Sequence, residues 1–211
     1  MEKIAIKHPE WLYIDVNGKT LHGYDQEWFN DEWQRLSGCG PTTATQVMSY
    51  AAFRDGILDV ATAHDQRGAL ERMNTMWNYV KPRFGGGVYK TQWMEAGLQK
   101  LMKEKELPYD VHMINVSPFV ASRVETDVAV DFIKTGLSQD VPIAFLNRHK
   151  GKEPALYTWH WVPIVGIFTD GDDVRCEIFD EGEIRDFSLT NWLQDTILGG
   201  GFAYVSLEGQ L

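Results

Sequence analysis

Long hydrophobic runs, cysteines and clustered basic residues are all scarce in this chain of 211 residues. No stretch approaches the roughly 18 consecutive apolar residues that a membrane-spanning helix needs. The N-terminal segment MEKIAIKHPEW has neither the apolar centre nor the small-residue cleavage site of a signal peptide. We therefore expect a cytoplasmic protein with no membrane partner. A chain from which a leader had already been removed would give the same pattern.

Basic residues are outnumbered by acidic ones, with 20 Lys and Arg against 30 Asp and Glu and a formal net charge of −10 at pH 7. A negatively charged surface repels nucleic acid and anionic membranes. No cluster of Lys and Arg with interleaved aromatic residues opposes this interpretation. We therefore expect no nucleic-acid partner, and no pattern in the sequence indicates an oligomeric state.

The sequence patterns that hold metals or cofactors are missing as well. There is no CxxC or HExxH spacing, the six histidines are scattered, and neither GxSxG nor a dinucleotide-binding pattern occurs. Gly18-Lys19-Thr20 looks like the end of a phosphate-binding loop, but Tyr13 stands where such a loop requires its first glycine. The sequence predicts no metal site and no cofactor.

Apolar and aromatic residues, by contrast, are plentiful, at 44% and 12% of the chain, and they suit a single domain over residues 1–211 with a sizeable core. Apolar periodicity predicts that helices come first, over 41–54, 65–80, 89–105 and 124–138. After residue 140 the chain is rich in β-branched and aromatic segments that turns separate. We predict an α+β fold, with a helical lobe over about 25–139 packed on an antiparallel β-sheet lobe over about 140–207.

Two turn signals predict hairpins within this layout. Asn17-Gly18 lies between short apolar runs in residues 11–24 and is typical of a type I′ turn. Glu181-Gly182 separates the predicted strands 174–179 and 184–187 in the same way.

Cys39 is the one of the two cysteines that lies where a helix is predicted to begin, in the sequence Gly38-Cys39-Gly40-Pro41. Unpaired N–H groups and the positive end of the helix dipole stabilise a thiolate there and lower its pKa. The glycines on both sides let a substrate backbone approach closely, and the Cys39 N–H could bind an oxyanion. A buried structural cysteine is the alternative, which we assign to Cys176 in the middle of a predicted strand. We expect two free thiols, with Cys39 as a nucleophile.

His160 is the best placed of the histidines to serve such a nucleophile. A thiolate catalyst needs a base that later protonates the leaving group, and this base needs an orienting partner. His160 opens the apolar segment 161–168, which is typical of a buried strand, so its side chain would be held rigidly at the mouth of that strand. A core histidine packed between two tryptophans is the alternative.

Asp180 ends the next predicted strand, immediately before the Glu181-Gly182 turn. If the two strands pair antiparallel around the loop at 169–173, His160 and Asp180 lie at matching ends. A carboxylate in that position can accept a hydrogen bond from the imidazole. A turn-initiating aspartate is the alternative, and Asp186 and Glu181 are weaker candidates for the same role.

These segments together resemble a known family. The stretch from Gly38 to Ala44, GCGPTTA, looks like the nucleophile motif of papain-like cysteine peptidases of the double-glycine leader peptidase group and its stand-alone relatives. The stretch from His160 to Gly166, HWVPIVG, looks like their His-strand motif, and Phe179-Asp180 matches the place of their aspartate. The resemblance spans roughly 33–192, and it implies a papain-like fold with the order Cys, His, Asp.

The resemblance also implies a glutamine shortly before the cysteine as a second oxyanion donor. Gln34 is the candidate, five residues before Cys39, although the family usually spaces the two by six. The aspartate that commonly precedes the cysteine in leader peptidases is Gly38 here, and residues 40–211 contain no segment typical of a transporter membrane domain, so we expect no leader cleavage coupled to export.

The sequence therefore predicts a thiol hydrolase that cleaves a peptide, isopeptide or amide bond, with a peptide or amide substrate as its partner. Two alternatives remain open. An acyltransferase would use the same three residues and pass the acyl group to an amine. A non-catalytic peptide-binding module would share the papain-like fold, but such relatives usually lose the cysteine or the histidine.

Overall fold

The computed structural model describes residues 3–83 and 85–209, which form six α-helices and nine β-strands. The helices are α1 (Glu32–Ser37), α2 (Cys39–Arg54), α3 (Gln66–Trp77), α4 (Thr91–Lys105), α5 (Thr126–Ser138) and α6 (Leu189–Asp195). The strands are β1 (Lys3–Ala5), β2 (Tyr13–Val16), β3 (Lys19–His22), β4 (Tyr109–Val116), β5 (Ile143–Asn147), β6 (His160–Asp170), β7 (Asp173–Asp180), β8 (Glu183–Ser188) and β9 (Gly200–Leu207).

Seven of these strands form one sheet, in the order β4-β9-β5-β6-β7-β8, with β1 paired to β6 outside that path. Every pairing in it is antiparallel. The predicted α+β class is confirmed. The large sheet is not built only from residues after 140, because β1 and β4 come from the N-terminal part of the chain. Strand β4 pairs with β9 along its whole length and so extends the sheet at one edge.

Helix α2 is the centre of the helical layer and contacts strand β6 as well as α3. The apolar residues whose spacing predicted this helix are buried. Every other residue from 40 to 53 is buried as well, including Thr42, Thr43 and Gln46. A helix covered on all sides is held by its surroundings more than by its own amphipathic pattern. Its first turn, with Cys39 at the start, is therefore fixed against the sheet.

The small hairpin β2–β3 forms at the predicted Asn17-Gly18 turn, where both residues have positive φ angles of 51° and 77°. Such angles are those of a type I′ turn, which matches the twist of the flanking strands. His22 at the end of this hairpin bridges to Gly182 in the β7–β8 turn. The hairpin thereby braces the end of β7, where Asp180 lies.

None of the helices described here has the length and apolar character needed to cross a membrane.

Candidate active site

Cys39 is the first residue of α2, with Gly38 as the residue that caps the helix. Its side chain is partly exposed. The backbone N–H groups of Gly40 and Trp161 hydrogen-bond to its sulfur. The thiol therefore lies among N–H donors, one of them from the first turn of the helix. Unpaired N–H groups at a helix N-terminus stabilise an anion, here the thiolate.

The two glycines beside Cys39 are needed for packing. A Cβ on Gly38 would come within 2.4 Å of the Gln34 carbonyl oxygen. A Cβ on Gly40 would come within 2.9 Å of the Val88 side chain. Both glycines are buried, so in this structure they bring α2 close to its neighbours instead of offering open space to a substrate backbone.

His160 begins β6 and points its ring at Asp180, with 2.8 Å between Nε2 of the imidazole and Oδ1 of the carboxylate. This leaves Nδ1 as the ring nitrogen available to Cys39, whose sulfur also hydrogen-bonds to His160. The Tyr157 ring packs edge-on against the imidazole, with ring centroids 5.8 Å apart. The imidazole is thus held between a thiol and a carboxylate.

The environment stabilises charge on both Cys39 and His160. Burial by itself would raise the pKa of the Cys39 thiol, but the hydrogen bond and the charge of His160, together with the Trp161 and Gly40 N–H groups, outweigh it and lower that pKa. Burial by itself would lower the pKa of His160, but hydrogen bonds to Asp180 and Cys39 outweigh it and raise the pKa to about 10. A thiolate beside an imidazolium is the form that these shifts favour near neutral pH.

Asp180 lies at the end of β7, where it is only 6% exposed. Its second oxygen accepts a hydrogen bond from Arg185, with Nη1 and Oδ2 3.3 Å apart. Arg185 also donates to Glu181 at 2.9 Å, and Glu181 accepts a hydrogen bond from the Tyr157 hydroxyl at 3.0 Å. Asp180 therefore has a neighbouring positive charge on each side, His160 and Arg185, and this fixes its orientation.

The weaker candidates for the acidic role hydrogen-bond to partners other than His160. Asp186 is bound to the guanidinium of Arg175, with 2.6 Å between its Oδ1 and the arginine Nε. Glu181 is bound to Arg185 and Tyr157, as described above. Of the three carboxylates that the sequence singled out, the structure brings Asp180 to the His160 ring.

Two cavities meet at Cys39. One, of about 200 Å³, is lined by Cys39, His160 and Asp180 together with Thr42 and Gln46. The other, of about 680 Å³, is lined by Cys39, the glycines at 85–87, Leu36 and Trp159. Trp159 is 52% exposed and has a positive φ of 61°, which is strained for a large side chain. A substrate chain could therefore occupy space on more than one side of the sulfur.

Gln34 is the sequence-predicted second oxyanion donor. It lies in α1, where its backbone N–H donates to the Asp31 side chain that caps the helix. Among the residues that the structure describes, Gln34 lines neither of the two cavities that contain Cys39. Residues 32–37 form a short helix of their own, separate from α2, so nearness to Cys39 in sequence does not by itself bring Gln34 to the cavity lining.

Several residues that contact the three central side chains were not predicted from the sequence. The N–H of Trp161 reaches the sulfur because β6 runs past the start of α2. Its indole Nε1 donates to the carbonyl of Val88, so the segment after the glycine loop is tied to the same strand. Arg185 and Tyr157 could have been suspected only from their nearness to Asp180 and His160 along the chain.

Cys176 is the natural comparison for Cys39. It lies within β7, is 0% exposed, and burial raises the pKa of its thiol. The two cysteines are both free. Cys176 has the environment of an inert core cysteine.

Comparison with known proteins leaves only a structural likeness. No known family profile matches the chain. No curated protein matches it either. Among solved structures, the chain is similar to UfSP from C. elegans, a cysteine protease of papain-like fold, with a TM-score of 0.52 and 13% sequence identity. The likeness covers 97% of this chain but only 34% of that one, so the chain spans about a third of the length of UfSP. From this likeness and its own α+β architecture, the chain has a papain-like fold.

Proposed function

We propose that the protein is a thiol hydrolase that cleaves peptide, isopeptide or amide bonds, with Cys39 as nucleophile, His160 as acid and base, and Asp180 as the residue that orients His160. One observation supports this above all others. His160 hydrogen-bonds to Cys39 while its Nε2 lies 2.8 Å from Asp180. Three residues that are far apart in sequence thus form a continuous set of hydrogen bonds beside a cavity.

In the first half of the proposed reaction, the Cys39 thiolate attacks the carbonyl carbon of the substrate and the carbonyl oxygen becomes an oxyanion. The N–H of Cys39 is the proposed donor to that oxyanion. The His160 imidazolium gives its proton to the nitrogen as the carbon–nitrogen bond breaks. The amine leaves, and a thioester joins the substrate acyl group to Cys39.

In the second half, neutral His160 takes a proton from water as that water attacks the thioester carbon. The carbon–sulfur bond then breaks, and the acid product leaves with an oxygen from water. Cys39 returns to the thiolate form and His160 to the imidazolium form. Asp180 stabilises the imidazolium at the beginning and at the end of the cycle.

The relation to the double-glycine leader peptidase group remains a prediction that rests on the GCGPTTA and HWVPIVG motifs. The likeness to UfSP supports a papain-like cysteine peptidase in general and does not support that subgroup in particular. The wider proposal of a thiol hydrolase depends on the arrangement of Cys39, His160 and Asp180 and does not need the subgroup to be correct.

The reactivity of Cys39 can be measured without knowing the substrate. We expect iodoacetamide at pH 6 to modify Cys39 much faster than an ordinary thiol, as detected by mass spectrometry of the labelled peptide. Cys176→Ala is the matched control and should leave the rate unchanged, whereas Cys39→Ala should remove the reaction. Labelling of Cys39 at the rate of a free thiol would refute the activated nucleophile.

Hydrolysis itself requires a substrate, for which a library of quenched fluorescent peptides is the appropriate probe. Cleavage in water enriched in ¹⁸O should place one heavy oxygen in the carboxylate of the product. Cys39→Ala should abolish cleavage and Cys176→Ala should not. Products joined to an added amine, with no hydrolysis, would instead indicate acyl transfer.

A further inference from the structure

The two cavities that meet at Cys39 differ in charge. The smaller one, of about 200 Å³, has no described Lys or Arg in its lining. Its lining does contain four carboxylates, those of Asp25, Glu27, Asp180 and Glu181. The larger one, of about 680 Å³, is lined mainly by apolar residues and, within the described part of the chain, by no Asp, Glu, Lys, Arg or His. The two halves of a substrate therefore meet different environments on the two sides of the sulfur.

The position of His160 relates each cavity to one half of the substrate. This step rests on the proposed thiol hydrolase, in which the His160 imidazolium gives its proton to the leaving nitrogen. That nitrogen must lie beside His160, which lines the smaller cavity and not the larger one. The amine half of the substrate therefore extends into the smaller cavity. Its volume is below the roughly 300 Å³ at which cavities for drug-sized ligands begin, so it suits a single residue.

Two of the four carboxylates in the smaller cavity are not neutralised by an ion pair. Asp180 and Glu181 are both paired with Arg185. Asp25 and Glu27 form no ion pair with any residue described here. Asp25 is half-buried and its Oδ1 accepts from the Glu27 N–H at 2.9 Å, whereas the Glu27 side chain is exposed. A cationic group of the substrate would balance these two negative charges.

Gln46 gives a second, independent indication of a ligand in the smaller cavity. It lies on α2, two helical turns after Cys39, it is 2% exposed, and it lines this cavity. Its Oε1 accepts a hydrogen bond from the Tyr24 N–H at 3.0 Å, which identifies the other end of the amide as Nε2. Within residues 3–83 and 85–209 this Nε2 makes no hydrogen bond, and it keeps accessible surface. A carbonyl oxygen of the substrate would satisfy this donor.

We propose that the residue on the amine side of the scissile bond is basic, an Arg or Lys whose cation lies at Asp25 and Glu27. A carbonyl oxygen on the same side of that bond accepts a hydrogen bond from the Gln46 Nε2. The larger cavity, without charged groups, takes the acyl half. The substrate class of the proposed hydrolase is thereby a peptide or amide whose leaving amine belongs to a basic residue.

Capture of an acyl-enzyme by added amines tests the amine side without a known substrate. The Cys39 thiolate takes the acetyl group of p-nitrophenyl acetate, and His160 gives its proton to the p-nitrophenol that leaves. When an added amine then attacks the thioester, the carbon–nitrogen bond forms, the carbon–sulfur bond breaks, and neutral His160 takes the proton from nitrogen. We expect argininamide to capture the acetyl group about fivefold more efficiently than citrullinamide, which has the same shape without the charge. Sodium chloride at about 0.5 M should reduce this preference, because it screens exposed charges.

The thiol hydrolase and the basic amine side fail in different ways. If p-nitrophenyl acetate gives no burst of p-nitrophenol beyond that of Cys39→Ala, the thiol hydrolase is contradicted, and the basic amine side with it. If the burst occurs but argininamide captures the acetyl group no better than citrullinamide, only the basic amine side is overturned.

Variants test the three residues, and each ratio is measured within one protein so that a general loss of activity cancels. Asp25→Asn combined with Glu27→Gln should lower the ratio of argininamide to citrullinamide capture to about one. Glu32→Gln, at an exposed carboxylate of α1 that lines neither cavity, should leave it unchanged. Gln46→Glu keeps the oxygen that accepts from Tyr24 and removes the donor. It should lower the capture of citrullinamide relative to N-carbamoylputrescine, the same amine without its carboxamide, about fivefold. A wild-type ratio in either variant would refute the contact that it removes.

Discussion

His160 and Asp180 lie on the same face of the β6–β7 hairpin because Val165 is an extra residue in β6. The pairing runs from Asp170 opposite Asp173 to Gly166 opposite Glu177, and then shifts, so that Ile164 lies opposite Ile178. Between these two pairs β6 advances by two residues and β7 by only one, which defines a β-bulge.

The bulge decides which side chains can meet. Residues opposite each other in a pair point to the same face, and faces alternate along each strand. Beyond the bulge, even-numbered residues of β6 share a face with even-numbered residues of β7, as Ile164 and Ile178 do. Without it, the Asp180 side chain would emerge on the face opposite to His160, because a shift of one residue exchanges the faces.

The first prediction concerns the pH dependence of Cys39 reactivity. Since the pKa of Cys39 is lowered, alkylation should reach its plateau at a lower pH than that of an ordinary thiol. Removing His160 takes away the strongest of the interactions that lower this pKa. The rise in the alkylation rate should therefore move to higher pH in His160→Ala. Rates measured from pH 4 to pH 9 test this, with His8→Ala, a change at an exposed histidine, as the control. An unchanged profile in His160→Ala would contradict the pairing.

Hydrolysis should lose rate on the alkaline side for a separate reason. The leaving amine needs the proton of His160, whose pKa is raised to about 10. As pH rises through that value the imidazolium disappears, so cleavage should fall there while alkylation of the thiolate does not. The pH profiles of cleavage and of alkylation, measured on the same protein, test whether cleavage alone falls on the alkaline side. A parallel fall in both rates would indicate unfolding instead.

The second prediction concerns Asp180. Asp180→Asn keeps the shape of the side chain but removes the charge that stabilises the imidazolium and orients the ring. We expect cleavage to fall on the order of 10³–10⁴-fold. Asp186→Asn is the matched control, because Asp186 pairs with Arg175 away from His160. An equal loss in both variants would mean that the effect is structural.

The third prediction concerns Gln34. Because Gln34 lines neither cavity at Cys39, Gln34→Ala should change the cleavage rate by no more than about twofold. Loss of a true oxyanion donor costs about 10²–10³-fold in turnover. Steady-state rates at saturating substrate distinguish the two, and a loss of that size would restore Gln34 to the site.

The fourth prediction concerns stability. Trp161→Phe removes the indole hydrogen bond and leaves the Val88 carbonyl without its donor. The free energy of unfolding should fall by about 1–3 kcal/mol, measured by urea denaturation. Trp159→Phe changes an exposed neighbour and should stay within about 0.5 kcal/mol of the wild type. A neutral Trp161→Phe would show that the hydrogen bond contributes little.

Local patterns were sufficient for much of the fold. The turn at Asn17-Gly18 formed as predicted, because only a few residues tolerate two positive φ angles in succession. The position of Cys39 at a helix start followed from Gly38 and Pro41, whose backbone preferences act within one turn. The order of Cys39, His160 and Asp180 along the chain could also be read without the structure. The α+β class followed from the change of periodicity near residue 140.

By itself, then, the sequence determined where most of the longer helices and the two hairpin turns begin and which residues could carry thiol chemistry, because those properties depend on a few neighbouring residues. Tertiary structure alone decided that Val165 bulges, that Gln34 lines neither cavity at Cys39 and that β4 pairs with β9. Each of these depends on contacts between distant segments, whose packing selects one register or orientation from several that the local sequence allows equally.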